Sequence, residues 1–477
     1  MDGGRIVMAA IRPFRALRYN PQSIHDLSQV IAPPYDVIDP KQQEQLYRAS
    51  RYNVVRLILG KQDPQDTPSD NRYTRARRDF EAWCGQGILQ PDPAPALYLV
   101  EQTFHIQETS CTRLGFIGLL GLQGAMERIV YRHEATLAAP KEDRTKLLHA
   151  LPANLCPIFC VYPDAGRQVQ SLLERAVERT APIGQARLGG EALRLWALTS
   201  PELIEEIARR LAPVTMLIAD GHHRFEVAYA HRDRYGALMS YFVSMADSGL
   251  VVRPIHRIIP PPAAAPEAPS ACEADDPLSA DAAGGGVIHH GGGHVLEVLR
   301  QLCVVEPVAD LAVVTRWLQD PAPPEQRRVG RFGCCDGRQL YQVTLKPEAL
   351  LAWLEHPSVA GPIASLDVSL LHHLILPHLA GSPKAHPATA VHRVGSWALE
   401  ELLRSNIAVE YTADAAQAIR AAGDRPGSWA WVLRGIPLAD IYALASRGHL
   451  FAPKSTYFYP KVPSGLTLNS MTMTQST

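Results

Sequence analysis

The stretch 217–232 constrains the fold of this chain more than any other, and it reads Leu-Ile-Ala-Asp-Gly-His-His-Arg-Phe-Glu-Val-Ala-Tyr-Ala-His-Arg. Its apolar beginning is typical of a short buried strand. Gly221 permits a backbone conformation that a residue with a Cβ resists. Phe225, Ala228 and Tyr229 then fall on one face of a helix. The stretch predicts a strand, a tight glycine turn and the start of a helix.

The predicted helix start is suited to an anion. The first N–H groups of a helix lack acceptors within it and lie at the positive end of its dipole. His222, His223 and Arg224 bring more donors to the same turn, and Arg224 has the geometry to hold a phosphate by two hydrogen bonds. The alternative is an ordinary turn whose histidines satisfy local hydrogen bonds. We favour the phosphate site because these side chains and Asp220 all need partners at one turn.

Length and composition bound the class of protein. A chain of 477 residues is expected to form two or three domains. An apolar fraction of 46% and a net charge of -1 are typical of a soluble globular protein. They give no strong nucleic-acid signal. We see no membrane-spanning run, secretory signal, disulfide framework or paired zinc spacing. We therefore expect a cytoplasmic protein with free thiols.

Two more polar clusters precede the turn. Tyr35 and Asp36 follow two prolines that stiffen the chain, so they are either substrate-side residues or part of a plain surface loop. His133 and Glu134 pair a candidate base with a candidate general acid or base. The cations Lys141 and Arg144 follow and suit phosphate; the alternative for this second cluster is a solvated charge run.

A last cluster lies near the end of the chain. Residues 453–461 combine two lysines, two hydroxyl side chains and three aromatic rings. We interpret Lys454, Ser455 and Tyr457 as candidate substrate-side residues of a ligand wall. A C-terminal strand with exposed lysines is the equally weighted alternative.

The chain divides into four expected segments. We predict an N-terminal domain over 1–259, a flexible low-complexity insertion over 260–294, a C-terminal α/β region over 295–464 and a tail over 465–477 that is frayed from Thr467. The insertion is rich in glycine, alanine and proline, and its His289, His290 and His294 form at most a weak metal site.

Coarse patterns predict the elements that carry these clusters. Asp39 is the expected cap of a helix over 40–50. Residues 53–59 are predicted to be a strand with one interior arginine, Arg56. A helix over 144–150 is expected after a break at Pro140. The fold class predicted from this alternation is α+β, with mixed α and β structure in both regions.

Several of these stretches together resemble a large bacterial family of unknown function. They are Ala-Pro-Pro-Tyr-Asp-Val at 32–37, Ile-Ala-Asp-Gly-His-His-Arg at 218–224 and Lys-Ser-Thr-Tyr-Phe-Tyr-Pro-Lys at 454–461, supported by His-Glu-Ala-Thr at 133–136 and Pro-Lys-Glu-Asp-Arg at 140–144. The resemblance spans nearly the whole chain except the tract around 260–294.

The glycine turn is also similar, more distantly, to the nucleotide-binding turn of the ParB/sulfiredoxin superfamily, and most of all to its free-serine kinases. This resemblance implies a nucleotide-binding core in which Gly221, His222, His223 and Arg224 bind phosphates. The chain shows no helix-turn-helix pattern after the turn and has no cysteine in it. Partition-type DNA binding and sulfiredoxin chemistry are therefore not expected.

Our first hypothesis is a nucleotide-dependent phosphotransferase acting on a small hydroxyl compound such as serine, with ATP or ADP and Mg²⁺ as inferred cofactors. Lys141 and Arg144 would join the turn on the phosphates. Glu134 is the preferred base, and Asp220 and His133 are the other catalytic candidates. The alternatives are a nucleotide-binding regulatory protein without kinase activity and, less favoured, a metal-assisted hydrolase using His133 and Glu134.

Overall fold

The computed structural model of the protein describes residues 8–124, 126–261, 292–319, 330–355, 362–376, 408–451 and 454–471. The expected flexible insertion falls almost entirely outside these ranges. His289, His290 and the side chain of His294 are outside them as well.

The described strands are numbered in chain order. They are β1 Ile11–Arg12, β2 Leu17–Tyr19, β3 Leu89–Pro91, β4 Leu97–Ile106, β5 Thr109–Gly121, β6 Val130–Tyr131, β7 Ala153–Asn154, β8 Ile158–Tyr162, β9 Gly184–Leu188, β10 Glu191–Leu198, β11 Met216–Asp220, β12 Ala237–Ser244, β13 Val251–Arg253, β14 His256–Ile259, β15 Cys303–Val308, β16 Arg331–Cys335, β17 Leu340–Leu345, β18 Glu410–Thr412, β19 Trp429–Val432, β20 Tyr457–Tyr459 and β21 Asn469–Ser470.

The described helices are numbered in the same way. They are α1 Pro40–Ala49, α2 Val55–Ile58, α3 Arg72–Gly85, α4 Ala138–Ala150, α5 Gln170–Arg179, α6 Pro201–Leu211, α7 His222–Ala230, α8 Arg232–Tyr235, α9 Gly292–Leu302, α10 Leu311–Gln319, α11 Pro347–Leu354, α12 Asp367–Leu370, α13 Ala415–Gly423 and α14 Leu438–Ala445. A π-helical turn, Leu371–Ile375, continues α12. Together with the strands they confirm the predicted mixture of α and β structure.

The chain forms two compact units. The first comprises Met1–Val251 together with Phe458–Thr477, and the second comprises Val252–Tyr457. The end of the chain therefore belongs to the first unit, which also holds the glycine turn. No helix in the described ranges has the length and apolar character that crossing a membrane requires.

A nine-stranded mixed sheet forms the first unit. Its strand order is β6-β11-β8-β12-β5-β4-β10-β9, and β1 pairs with β5 at the side of this path. β11 runs parallel to β6 and antiparallel to β8. α6 covers the sheet with Ile204, Ile207 and Leu211, whose spacing of three and four residues forms one apolar face. Met216 and Ile218 of β11 lie in the resulting core, and β11 ends at Asp220.

The second unit contains a six-stranded antiparallel sheet in the order β15-β17-β16-β19-β14-β18. Phe332, Val343 and Trp431 are fully buried within its core. The expected hairpin around Asp336 and Gly337 is confirmed, because β16 and β17 pair from Arg331↔Thr344 to Cys335↔Leu340.

Three local expectations were wrong. Residues 53–59 hold the short helix α2 instead of a strand; Asn53 Oδ1 accepts a hydrogen bond from Val55 N at 2.9 Å and so turns the chain. α4 begins at Ala138, before Pro140, since a proline in the first helical turn removes an N–H that has no helical acceptor. The tail is not frayed from Thr467, because Leu468 is fully buried and β21 pairs with β7.

Candidate functional site

The glycine turn forms as the sequence predicts. β11 ends at Asp220, Gly221 has φ 94° and ψ 29°, and α7 starts at His222. A Cβ built on Gly221 would lie 2.9 Å from Ile158 Cγ2 of the neighbouring strand β8. Both the left-handed backbone and the close packing therefore require glycine here. The first turn of α7 presents N–H groups and the positive end of the helix dipole.

The parallel pairing of β6 and β11 brings the second cluster to this turn. Two parallel neighbours leave a sheet at the same edge, so the segment after Tyr131 lies beside the start of α7. His133 Nδ1–H donates to the Ile218 carbonyl at 2.8 Å, and the rings of His133 and His222 are 4.7 Å apart. Leu137 N donates to His223 Nε2 at 2.9 Å. The structure therefore brings His133, Glu134 and the turn together.

Both buried histidines are held neutral. Burial lowers the pKa of His133 to about 4, against the opposing effect of its hydrogen bond to Ile218. Burial, followed by the neighbouring His133 and His223, lowers the pKa of His222 well below its usual range. His222 Nε2 is buried and accepts no hydrogen bond from the described part of the chain. His222 Nδ1 lies 3.8 Å from Glu134 Oε2, so a carboxylate and a neutral imidazole adjoin the turn.

Four charged side chains form a network at the turn, in which Arg224, Asp220 and Lys461 are largely buried and Asp36 lies at the exposed edge. Arg224 donates through Nη2 to Asp220 Oδ2 and through Nη1 to the Pro157 carbonyl. Lys461 Nζ contacts Asp220 Oδ1 and donates to Asp36 Oδ2 at 2.7 Å. Two cations and two carboxylates therefore balance in charge. The predicted two-point grip of Arg224 on a phosphate would require it to exchange these bonds.

The network holds its cations strongly protonated. Burial alone would lower the pKa of Lys461, but the carboxylates of Asp220 and Asp36 outweigh burial and raise it. Burial likewise opposes the charge of Arg224, but Asp220, Cys156, Asp36 and Tyr35 together outweigh burial and raise the pKa of the guanidinium. Replacing such buried ion pairs by apolar residues is often neutral or stabilising. Stability alone therefore gives no reason for placing four charges here.

Glu226 ties the second cluster to α7. Its carboxylate accepts hydrogen bonds from Arg132, from Thr136 Oγ1 at 2.8 Å and from Lys141 Nζ at 3.1 Å. Lys141 keeps 39% of its side chain exposed. This predicted phosphate-binding residue therefore forms an ion pair with Glu226 of α7 and still reaches solvent.

Arg144 and Tyr35 form a stacked pair. The Arg144 guanidinium lies 3.8 Å from the centre of the Tyr35 ring, and its Nη1 donates to the Ile58 carbonyl at 2.9 Å. Asp143 accepts from Arg144 Nε at 2.7 Å. Burial raises the pKa of Tyr35 to about 12, so its hydroxyl stays protonated. Arg144 is therefore committed to protein contacts on the Tyr35 side of the site.

A cavity of about 70 Å³ lies beside Arg224 and Arg144. Its other walls are mainly apolar and include Ile58, Leu147, Cys156 and Val227. Ligand pockets usually measure about 300–1,000 Å³. The cavity is therefore too small for a nucleotide, which would have to approach α7 from its solvent side.

The candidates from the last cluster belong to the second unit. Lys454 has φ 62°, its carbonyl accepts from Arg257 Nη2 at 3.0 Å, and Ser455 is buried. Tyr457 begins β20 and is half-buried. Their assignment to a ligand wall stays a prediction.

Lys461 and Glu226 are the residues that sequence reasoning missed. Lys461 ends the stretch 454–461 but was not singled out, since its partners Asp36 and Asp220 are 425 and 241 positions away. A lysine that follows a proline at the end of an aromatic run was the available signal. Glu226 carries no local signal, because Arg132, Thr136 and Lys141 are 85 or more positions away in the chain.

In sequence, residues 11–369 match a family described as "Protein of unknown function (DUF1015)". This match covers more than half of the chain, so the protein belongs to that family. No curated protein matches the chain.

Solved structures resemble the chain only distantly. A free serine kinase in complex with AMP has a TM-score of 0.30 and 11% identity, covering 70% of this chain and 84% of the kinase. A conserved hypothetical protein from Pyrococcus furiosus has a TM-score of 0.32 and 12% identity, with 74% and 94% covered. SbnI with a C-terminal truncation, from Staphylococcus aureus, has a TM-score of 0.33 and 10% identity, with 76% and 90% covered.

Proposed function

We propose that the first unit is a nucleotide-dependent phosphotransferase that acts on a small hydroxyl compound such as serine. The observation that carries the proposal is the meeting of an anion-binding helix start with an acid–base group. The first turn of α7 is bordered by the Glu134 carboxylate, which lies 3.8 Å from His222 Nδ1. Phosphoryl transfer requires donors on the phosphates and a carboxylate that orients or deprotonates the attacking hydroxyl.

The phosphates would be bound by the start of α7. Backbone N–H groups of His222 and His223 supply donors that need no change of protonation, and the helix dipole favours the negative charge. Lys141 would add a cation from the solvent side, where 39% of its side chain is exposed. Arg224 would hold Asp220 in place, and through it the end of β11.

Glu134 would act as the base. In the transfer step the substrate oxygen attacks the terminal phosphorus of the nucleotide, the bond to the leaving phosphate oxygen breaks, and the hydroxyl proton passes to Glu134. His133 is neutral with Nδ1–H fixed on the Ile218 carbonyl. Its role would be to hold the segment of Glu134 against β11.

Asp36 and Asp220 are the residues that would hold Mg²⁺. Both contact the Lys461 ammonium, so two carboxylates converge on one cation position, which Mg²⁺ would occupy after the ammonium moves aside. Mg²⁺ is usually bound by one or two carboxylates, waters and substrate phosphates, and it would neutralise charge on the transferred group. Tyr35, whose ring stacks on Arg144, would border the substrate together with Asp36.

The test is turnover of ATP and of ADP with serine and Mg²⁺, followed by mass spectrometry of the product. We expect Glu134→Gln to lower kcat by about 10²–10⁴-fold, since it removes general base catalysis. Lys141→Ala should raise KM for the nucleotide. Lys146→Ala is the matched control, because Lys146 lies on the same helix and pairs with Glu142 at 2.7 Å.

Two results would overturn the proposal. One is phosphorylated product at the wild-type rate from Glu134→Gln. The other is no product from any hydroxyl amino acid, combined with tight nucleotide binding by calorimetry. That second pattern would favour the nucleotide-binding regulatory protein.

A further inference from the structure

Two histidines on different helices meet away from the glycine turn. His149 lies in the last turn of α4, and His231 is the residue that caps the end of α7. Their Nε2 atoms are 2.9 Å apart, and the ring centres are 4.9 Å apart with an interplanar angle of 78°. His149 is exposed and His231 is half-buried, so solvent reaches the pair.

The tautomer of His231 is fixed by its backbone contact. His231 Nδ1 lies 2.8 Å from the Val227 carbonyl, and a carbonyl only accepts, so Nδ1 carries the proton. In the neutral ring Nε2 then bears a lone pair, which points towards His149. A ligating histidine in proteins commonly donates its other ring N–H to a carbonyl in this way, which fixes the ring for the metal.

The separation of the two nitrogens suits one metal ion. With a metal–nitrogen distance of about 2.0 Å, neighbouring ligands of a square-planar ion are about 2.8 Å apart. Neighbouring ligands of a tetrahedral zinc ion are about 3.3 Å apart. The observed 2.9 Å matches the nitrogen–nitrogen spacing of the first geometry, and a small rotation of the exposed His149 ring would aim both nitrogens at one ion in either geometry.

The surroundings also favour a cation. α4 ends at Ala150 and α7 ends at Ala230, so the negative ends of two helix dipoles converge on the pair. Imidazole nitrogen suits Zn²⁺, Cu²⁺ and Ni²⁺, whereas Mg²⁺ prefers oxygen. The remaining coordination positions would be filled by water.

We propose that His149 and His231 form a binding site for a divalent transition metal ion, which joins the end of α4 to the end of α7. The site is independent of the proposed phosphotransferase activity. Both helices also carry residues of the glycine-turn site, Lys141 on α4 and His222 on α7. Bound metal would therefore stabilise the packing of the two helices on which that site is built.

The experiment is calorimetric titration of the tag-free full chain with NiCl₂, CuCl₂ and ZnCl₂. His289, His290 and His294 are replaced by alanine in every protein, so that this histidine tract adds no binding. We expect one equivalent of metal per chain and a higher Tm with metal. His149→Ala and His231→Ala should each weaken binding by about a hundredfold, since even the loss of a supporting contact costs 10–100-fold.

The matched control is His105→Ala, which removes another exposed histidine of the first unit. It should bind metal as the parent chain does. Copper-loaded parent protein should show two imidazole nitrogens by electron paramagnetic resonance, and His149→Ala should show fewer. The proposal is overturned if no metal binds, or if His149→Ala and His231→Ala keep the affinity and rise in Tm of the parent. The pair would then be a histidine–histidine hydrogen bond only.

Discussion

Lys461 is the residue that compensates the charges of the carboxylates in the network at the glycine turn. Its side chain is 11% exposed and its ammonium contacts both Asp36 and Asp220. Removing one partner of a buried ion pair leaves a charge without compensation, which typically costs 3–5 kcal/mol. The stability of the protein is therefore far more sensitive to the loss of one charged residue than to the replacement of all four by uncharged residues.

We expect Lys461→Met to lower the free energy of unfolding by about 3 kcal/mol or more, measured by urea denaturation. Adding Asp36→Asn should recover part of the loss, because the remaining Arg224 and Asp220 then balance in charge. Lys146→Met, on the exposed side of α4, should change stability by less than about 0.5 kcal/mol. A Lys461→Met protein as stable as this control would contradict the ion network.

His133 makes a pH-dependent contribution at the same scale. Its pKa is about 4 in the folded protein and about 6.5 in the unfolded chain, so the unfolded state binds more protons between these values. Stability should therefore fall as the pH drops from about 6.5 to 4, by roughly 3 kcal/mol for this residue. Above pH 6.5 the stability should no longer depend on the protonation of His133.

The check is urea denaturation at several pH values, comparing wild type with His133→Asn, whose amide can still donate to the Ile218 carbonyl. His222, His256, His372 and His373 also have lowered pKa values and contribute to the slope of both proteins. The difference between the two slopes reports His133 together with the part of the His222 pKa shift that His133 causes. Equal slopes would show that His133 does not titrate in this range.

At the scale of elements, the glycine turn depends on backbone conformation and on space together. Gly221 has φ 94° and its Cβ would meet Ile158, whereas Gly236, at the end of α8, has φ 63° and open space around it. Gly236→Ala should cost about 1 kcal/mol, for the left-handed backbone alone. Gly221→Ala should cost at least 1 kcal/mol more and should weaken nucleotide binding.

Thermal denaturation and nucleotide titration of the two variants measure these effects. Comparable Tm values for Gly221→Ala and Gly236→Ala would mean that Ile158 moves aside without cost. Intact nucleotide binding by a folded Gly221→Ala protein would argue against the role of this turn in the proposed site.

Local patterns predicted the elements best where a cap or a turn marks them. Asp39 Oδ1 accepts from Gln42 N at 2.8 Å and starts α1 as expected, and Gly221 starts α7. The stretch 53–59 was misassigned because a short apolar run does not distinguish a strand from a helix. The helical structure of this stretch depends on the buried Asn53 and on the core around it.

The candidate site was only partly predictable. The turn and the cluster after β6 carry recognisable residue types, so His133, Glu134 and His222 could be singled out as candidates. That they meet follows from the parallel pairing of β6 with β11, which no local pattern encodes. The Lys461 contacts are a product of tertiary structure, and so is the binding of Arg224 by the Pro157 carbonyl.

At the scale of the whole molecule, the described core of each unit is built from that unit's own residues. Leu217 and Phe242 are fully buried in the first unit, and Phe332 and Trp431 in the second. The tract 262–291 is rich in alanine, proline and glycine in sequence. Its sequence contains few large apolar side chains, namely Leu278, Val287 and Ile288.

We therefore expect that replacing residues 262–291 by a glycine–serine linker of equal length leaves the first unit unchanged. Nucleotide binding and the stability effect of Lys461→Met should match those in the parent chain, by calorimetry and urea denaturation. A loss of nucleotide binding in the linker variant would show that the tract supports the proposed site.

The side-by-side exit of β6 and β11 has a consequence for how this protein can diversify. The proposed anion-binding bend follows one strand and the proposed acid–base residues follow the next, and His133 and Leu137 bond to Ile218 and His223 of the other segment. Changes confined to 132–137 would therefore disturb the bend as well as the reactivity towards new acceptors. Homologues should accordingly change the two stretches together.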